Sequence, residues 1–418
     1  MEKLRRVRVD RKGRVYEGVL LPSTDRGFLV LKLDSGYNIG IEKKGAKVEE
    51  LGSVARPEEK EEKAPGKAEI SIVGMGGTVS SKVEYKTGAV FPTTRPSDLM
   101  KHIPGLHEIA SFRAREVFAI LSEDMNPLHW AKAADAIKEE IESGAQGVLV
   151  LHGTDTMHYT SAALSFMLQD LPVPVYLVGA QRSSDRPSTD ARLNILNAAY
   201  AAKNGPMANV GVCMHSGTGD GMDVIHLGTR VRKMHTTRRD AFHSINSGPL
   251  ARVDYRKKLV EPLLPYSKRG GKLRFDNRAS GNVSLFYLYP GVQPSIVSKL
   301  SDFDGVVLVG TGLGNAPTNA FNDKLAKSIM PEVKALVDSG IPVAMSSQCI
   351  SGRIDLNVYT AGRMLQDAGV FGHLADWTPE TAYAKMCWVL GHEGKMEKVR
   401  EEMMGNIAGE ITQRSELR

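Results

Sequence analysis

The sequence predicts an α/β protein: a doubly wound sheet in two subdomains, preceded by a small N-terminal β-barrel domain. Three observations predict it. From about residue 68 onward, apolar strand-like runs alternate with helix-length stretches, the pattern of parallel βαβ units. The first 55 or so residues instead carry short alternating strands split by turn signals, as small barrels do. Between the two lies Arg56-Pro57-Glu58-Glu59-Lys60-Glu61-Glu62-Lys63-Ala64-Pro65-Gly66-Lys67, charged, bracketed by prolines and without a large apolar side chain. Such a segment has too little apolar surface to order itself and reads as a solvated linker.

In the front domain the strand patches are 7–9, 14–21, 28–33 and 37–41, punctuated by Asp10-Arg11-Lys12-Gly13 and Asp34-Ser35-Gly36. In the body, strands are predicted at 69–73, 147–151, 173–178, 209–214, 305–309 and 342–345, and helices at 128–143, 156–169, 190–203, 322–338 and 379–390. The expected division is a barrel over 1–55, a linker over 56–67, an α/β domain carrying the active site over 68–285 and a second, shorter α/β domain over 286–418. Doubly wound sheets bind ligands beyond the carboxyl ends of their strands, so chemistry is sought at those junctions.

Composition narrows the class. At 42% hydrophobic and 24% charged residues, the chain has the balance of a soluble globular protein. No apolar run approaches the ~20 residues of a membrane span, and no h-region of a signal peptide follows the charged N-terminus. Cys213, Cys349 and Cys387 stand far apart, which argues against a disulfide scaffold or a zinc site and suits a reducing cytoplasm. The formal net charge is +6, with basic residues crowded into 5–14, 230–239 and 252–274. These stretches have two readings: contact with a polyanion such as RNA, or a solvated surface.

Three segments carry chemistry. The first body strand runs into Gly74-Met75-Gly76-Gly77-Thr78-Val79-Ser80-Ser81. A phosphate cradle is one reading, but the dinucleotide fingerprint needs a third glycine where Val79 stands, and no Gly-Lys-Ser/Thr follows. Another is an exposed nucleophile, Thr78, with neighbouring amides as an oxyanion hole; a third is a threonine that caps a turn. Next comes His152-Gly153-Thr154-Asp155-Thr156-Met157. Its hydroxyl and carboxylate can bind substrate or relay a proton, or Thr154 or Asp155 can cap the following helix; His152 reads as structural. In Arg230-Val231-Arg232-Lys233-Met234-His235-Thr236-Thr237, Lys233 is a base if partly buried and a solvated cation if not.

In this order the three segments resemble the asparaginase/glutaminase family, and more of the chain agrees. Ser122-Glu123-Asp124-Met125, Val178-Gly179-Ala180-Gln181-Arg182 and Asn246-Ser247-Gly248-Pro249-Leu250 resemble its substrate-binding segment, a strand-end segment and a turn, and Tyr85-Lys86-Thr87-Gly88 its lid. The resemblance covers roughly 69–400 and implies an asparaginase-like fold. It implies that Thr78 is the first nucleophile and that Thr154, Asp155 and Lys233 form a second, relay-like set. Ser122 would hold the substrate α-carboxylate, Asp155 with Glu123 the α-ammonium, and Tyr85 would close over the site. Two positions depart from the family. Met75 replaces a threonine, losing a hydroxyl near the nucleophile turn, and Glu123 replaces a glutamine, which bears on the choice between glutamine and asparagine.

The front domain, the linker and the tail Gly409-Glu410-Ile411-Thr412-Gln413-Arg414-Ser415 are similar to the D subunits of archaeal glutamyl-tRNA(Gln) amidotransferases. That likeness implies a glutaminase that hands ammonia to a partner E subunit acting on Glu-tRNA(Gln). It further implies a homodimeric core inside an α2β2 heterotetramer, with ATP and Mg used by the partner and no cofactor in this chain. The alternatives are a free-standing cytoplasmic L-asparaginase and a non-catalytic RNA-binding scaffold. The scaffold is disfavoured because Thr78, Thr154, Asp155 and Lys233 are all chemically competent.

Overall fold

The computed structural model describes residues 4–21, 27–33, 38–54, 68–76, 81–83, 90–92, 103, 105–182 and 189–414. The front strands Leu4–Arg11, Arg14–Leu21, Phe28–Leu33, Asn38–Glu42 and Lys47–Val54 form a five-stranded antiparallel sheet, with Leu4–Arg11 paired to both Arg14–Leu21 and Lys47–Val54. Val7, Val9, Leu31 and Ile41 fill its small core. The last strand is not among those predicted, for a physical reason. The pairing register slips between Arg6 and Val7, where Val7 faces Glu50 and Arg6 faces Gly52. This bulge puts one extra residue into the strand and destroys the alternation that marks a strand in sequence.

Three arginines of this sheet are paired across strands. Arg8 bonds Glu17 at 2.7 Å and Glu49 at 3.1 Å, Arg5 meets Glu50 at 3.6 Å, and Arg11 pairs with Glu42. Exposed pairs of this kind are worth about 0–1 kcal/mol each. Their main effect is to match strand to strand.

The main sheet has eight strands in the spatial order Leu259–Pro262, Ala251–Asp254, Asp223–Leu227, Val210–His215, Val175–Val178, Gly147–Leu151, Ile70–Gly76, Phe112–Ile120. The last five are parallel; the first three are antiparallel additions. The sheet is therefore mixed rather than wholly parallel. Parallel strands need a crossover, whereas the short connection after His215 and the turn at Lys258, with φ +53°, permit only hairpins. The chain moves from Ile70–Gly76 to Phe112–Ile120 on one side, then crosses back to Gly147–Leu151 on the other. That reversal is the topological switch point, where ligands bind in such sheets.

A second sheet of three parallel strands, Val283–Tyr287, Gly305–Gly310 and Val343–Ser347, follows. The helix Met157–Met167 packs against the helix Pro379–Leu390, and ten of its eleven residues are buried, the polar Thr160, Ser161 and Ser165 among them being hydrogen-bonded. The helix predicted over 322–338 is confined to Met330–Asp338. Before it, Asn319 and Asn322 take positive φ, and the Asp323 carboxylate accepts from the amides of Leu325 and Ala326 at 2.8 and 3.0 Å. Local side-chain bonds of this type compete with helix.

Burial also sets an acid limit on stability. Burial pushes His152 and His158 down to about 4 and His226 to about 3, prevailing at His158 over the nearby Glu380 carboxylate. Unfolded imidazoles take up a proton near 6.5. These three therefore contribute stability that is complete above about pH 6.5 and lost as pH falls toward about 4, by up to about 1.4 kcal/mol per pH unit each. His215 acts oppositely: burial lowers it, but the Asp223 carboxylate overrides burial and raises it. With three groups against one, the thermal midpoint is expected to fall steadily between about pH 6.5 and pH 4.5; a flat midpoint across that window would contradict this account.

Candidate active site

Four chain segments converge at the switch point. The strand Ile70–Gly76 is buried throughout and leads toward Thr78. Gly76 has φ +85°, and a Cβ there would lie 2.3 Å from the Ile120 carbonyl oxygen. Only glycine lets this strand end lie against Ile120, two residues before Ser122. Thr78 and Tyr85 themselves fall outside the described residues. The strands Ser81–Val83 and Val90–Pro92 pair with one another. Met75 is buried in the main core with Val73, Trp130 and Met157.

The strand Gly147–Leu151 delivers the second segment. His152 is fully buried, with Nδ1 at 2.6 Å from the Gly153 carbonyl oxygen and Nε2 at 2.8 Å from the Thr160 hydroxyl. The carbonyl can only accept, so Nδ1 carries the proton and Nε2 accepts from Thr160. A neutral imidazole thus pins the start of the loop, in keeping with the structural reading of His152.

The helix N-cap is Thr156, and it makes no side-chain capping bond. Thr154 and Asp155 are therefore not caps, and their side chains turn to Lys233. Lys233 Nζ donates to Thr154 Oγ1 at 2.8 Å and to Asp155 Oδ1 at 2.6 Å. The Thr154 residue and the Lys233 side chain are nearly enclosed, while the Asp155 side chain is 67% exposed. Lys233 comes from the strand Val231–Lys233, paired with Phe242–Ser244. Its basic neighbours are committed elsewhere: Arg230 is buried against Asp376, Arg232 bonds Glu380 at 2.9 Å, and Arg238 bonds Asp240. This stretch is neither a plain solvated face nor a free cationic patch.

Ser122 and Glu123 lie in the 3-10 turn Ser122–Asp124, Ser122 buried and Glu123 exposed. Thr156 ties this turn to the Thr154 loop, its hydroxyl donating to the Ser122 carbonyl at 2.6 Å. The structure thus brings Thr154, Asp155 and Lys233 into direct contact, with Ser122 and Glu123 joined through Thr156. In sequence Thr156 closes the 152–156 motif and opens a predicted helix, with no role of its own assigned.

Two further supports carry no signal in the sequence. The buried Asp190 carboxylate accepts from the amides of Gln181 and Arg182, at 2.9 and 3.0 Å, and Asn194 Nδ2 donates to the Gly179 carbonyl at 2.9 Å. Both hold the end of the strand Val175–Val178 against the Thr154 loop. A Cβ on Gly179 would lie 2.6 Å from Met157 Cε, 2.8 Å from Thr154 Cγ2 and 3.0 Å from the His152 carbonyl. Gly179→Ala is therefore expected to displace Thr154 from Lys233. A shift approaching 1 Å costs on the order of 10²-fold in turnover, and overpacking costs about 1–3 kcal/mol of stability. Steady-state kinetics with thermal melting checks both; wild-type turnover in a folded variant would contradict the expected displacement.

Among the described residues no group of three or more His, Cys, Asp or Glu side chains is placed to hold a metal ion. No helix there is long and apolar enough to cross a membrane.

The chain matches family models for the N-terminal asparaginase domain over 69–262, the glutaminase/asparaginase C-terminal domain over 282–403 and the GatD N-terminal domain over 1–51. It is 46% identical to the D subunit of the glutamyl-tRNA(Gln) amidotransferase of Methanothermobacter thermautotrophicus, across 98% of this chain and 94% of that one. To the corresponding D subunit of Pyrococcus abyssi it is 45% identical, across 95% and 91%. Among solved structures it is similar to the thermostable L-asparaginase from Thermococcus kodakarensis, with 31% identity and a TM-score of 0.72, covering 82% of this chain and 99% of that one. With full-length relatives and a front domain of their type, the chain belongs to the family of glutamyl-tRNA(Gln) amidotransferase D subunits.

Proposed function

We propose that this chain is the glutaminase subunit of an amidotransferase that converts Glu-tRNA(Gln) to Gln-tRNA(Gln). The observation that carries the proposal is the Lys233 contact with Thr154 and Asp155 at the switch point, in a chain that aligns almost end to end with D subunits. Ser122 binds the glutamine α-carboxylate, while Asp155 and Glu123 bind its α-ammonium. Thr78 attacks the side-chain amide carbon and gives up its hydroxyl proton. A threonine hydroxyl needs a base for this step. Lys233, in contact with both Thr154 and Asp155, links them in a relay that takes up the proton of the nucleophile and returns it to the leaving nitrogen.

Negative charge then gathers on the amide oxygen. Backbone donors beside Thr78 and Thr154 oppose it, each worth about 10²–10³ in rate. The amide nitrogen leaves protonated as ammonia, and water cleaves the acyl-threonine to release glutamate. Tyr85 closes over the site. The ammonia passes to an E subunit, which activates the γ-carboxyl of Glu-tRNA(Gln) with ATP and Mg; this chain requires neither. The assembly is an α2β2 heterotetramer around a pair of D subunits, working in the cytoplasm. The exposed side chains of Phe321 and Leu325, 88% and 94% accessible, favour a protein contact on that loop.

The other reading, a free-standing L-asparaginase, draws on the structural likeness to one. It leaves the front domain, matched by the GatD N-terminal model, without a purpose. Ammonia release from glutamine and from asparagine, with and without an E subunit and Glu-tRNA(Gln), separates the two. Glutamine hydrolysis stimulated by partner and tRNA is expected. Strong asparagine hydrolysis by the chain alone, indifferent to tRNA, would sink the proposal.

A further inference from the structure

The strand that presents Lys233 is three residues long, as is its only ladder partner among the described residues. A two-stranded ribbon of that size does not hold itself in place. Part of its support comes from Val231 and Phe242 in the main core and from the Arg232 bond to Glu380, and part enters through the two preceding residues. Thr229 Oγ1 donates to the Ala408 carbonyl at 2.9 Å, and Arg230 Nε donates to the Gly409 carbonyl at 2.7 Å. Both acceptors belong to the tail that follows the helix Met396–Met404.

The tail is anchored at two buried points. Glu410, fully buried, accepts from the amides of Ile407 and Ala408 at 3.0 and 2.7 Å and from the Lys385 ammonium at 2.5 Å. Two residues on, Thr412 donates its amide and hydroxyl to the Asp376 carboxylate at 2.9 and 2.6 Å. Arg230, 1% exposed, reaches the same Asp376 at 3.0 Å to its carbonyl and 3.2 Å to its carboxylate. Between the anchors, Gly409 has φ +83°, and a Cβ there would lie 2.8 Å from Leu227 Cδ2. The tail backbone is therefore pressed against the end of the strand Asp223–Leu227, two residues before Thr229.

We infer that the tail segment 407–412 is a positioning element for Lys233. It fixes the entry of the lysine strand and so the reach of Nζ to Thr154 and Asp155. It is not catalytic, because none of its atoms is placed among the groups assigned to substrate. The inference rests on the reading of Lys233 as a base in glutamine hydrolysis.

Gly409→Ala tests it in the full-length chain assembled with its E subunit and Glu-tRNA(Gln). The new methyl group must displace Leu227 or the tail. Turnover of glutamine is expected to fall by about tenfold or more, since sub-ångström misplacement of a catalytic group has effects of that order. The KM is expected to change less than kcat, because Ser122 and Glu123 sit on another strand end and Asp155 alone of the groups assigned to substrate touches Lys233. The pH profile of kcat shifts with it, since the contacts of the lysine change. Thr229→Val, which keeps the shape and deletes one tail bond, lowers kcat in the same direction by less. It decides the question if the glycine variant does not fold.

Unchanged kcat and pH profile per folded molecule, with only a lower thermal midpoint, would overturn the inference, as would a rise in KM alone. Lys233→Ala in the same assay separates the two levels of argument. If it retained wild-type turnover, the reading of the active site would fail. If it were inactive while both tail variants matched wild type, only the role of the tail would fail.

Discussion

Lys233→Ala is expected to lower glutamine turnover by about 10²–10⁴, the usual range for a lost general acid or base, while the protein stays folded. The geometry explains both halves. Lys233 is the group that touches Thr154 Oγ1 and Asp155 Oδ1 together, so its loss breaks the relay at its centre. The abandoned Asp155 side chain is 67% exposed and stays hydrated, so no buried charge is left unpaired, and the loss of the nearly enclosed Lys233 stem costs about 1–3 kcal/mol, within the range of an ordinary substitution. Lys233→Arg sharpens the test. Arginine keeps the charge and the donors but is not deprotonated in proteins, so a base role leaves it inactive, whereas a purely electrostatic role restores much of the rate. Arg238→Ala serves as the control, since its 51% exposed side chain pairs locally with Asp240. Steady-state ammonia release and thermal melting of the three variants check this. Equal losses in Lys233→Ala and Arg238→Ala would remove Lys233 from the mechanism.

Thr78→Ala is expected to abolish ammonia release, by about 10⁴ or more, as when a covalent nucleophile is removed. Without the hydroxyl no acyl-enzyme forms, yet glutamine still binds through the groups assigned to its α-carbon. Thr154→Val is expected to fall short of that loss, because it removes a relay hydroxyl and keeps the nucleophile. Mass spectrometry of acid-quenched enzyme decides between the two threonines. A γ-glutamyl adduct is expected on Thr78 in the wild type and absent from Thr78→Ala. An adduct on Thr154, or release persisting in Thr78→Ala, would reassign the nucleophile.

Much of the body is legible in the sequence because its signals are local. The strand 147–151 and the helix 379–390 have the same bounds in sequence pattern and in structure, since a buried apolar run and a proline-led helix depend on neighbours in sequence. The strand Lys47–Val54 escapes because a bulge shifts its period. The pattern over 322–338 overextends the helix because asparagine and aspartate bonds in its first half compete with helical ones. The site is legible as motifs but not as contacts. His152-Gly153-Thr154-Asp155-Thr156 reads either as a cap or as chemistry, and the uncapped N-terminus of the helix removes the first of these readings.

By itself the sequence determined the α/β class, the separate front segment and the order of the competent residues Thr78, Thr154, Asp155 and Lys233. The tertiary structure alone decided that the basic stretch around Lys233 is internally paired and that the lysine reaches Thr154. It also decided that Thr156 joins the Thr154 loop to the Ser122 turn, that Gly179 packs against that loop, and that the tail bonds Thr229 and Arg230 just before the lysine strand. The physical reason is separation along the chain. Periodicity and turn chemistry act over a few residues, whereas Lys233 and Thr154 are 79 residues apart and Thr229 and Ala408 are 179 apart. Contacts over such distances exist only once the core has packed.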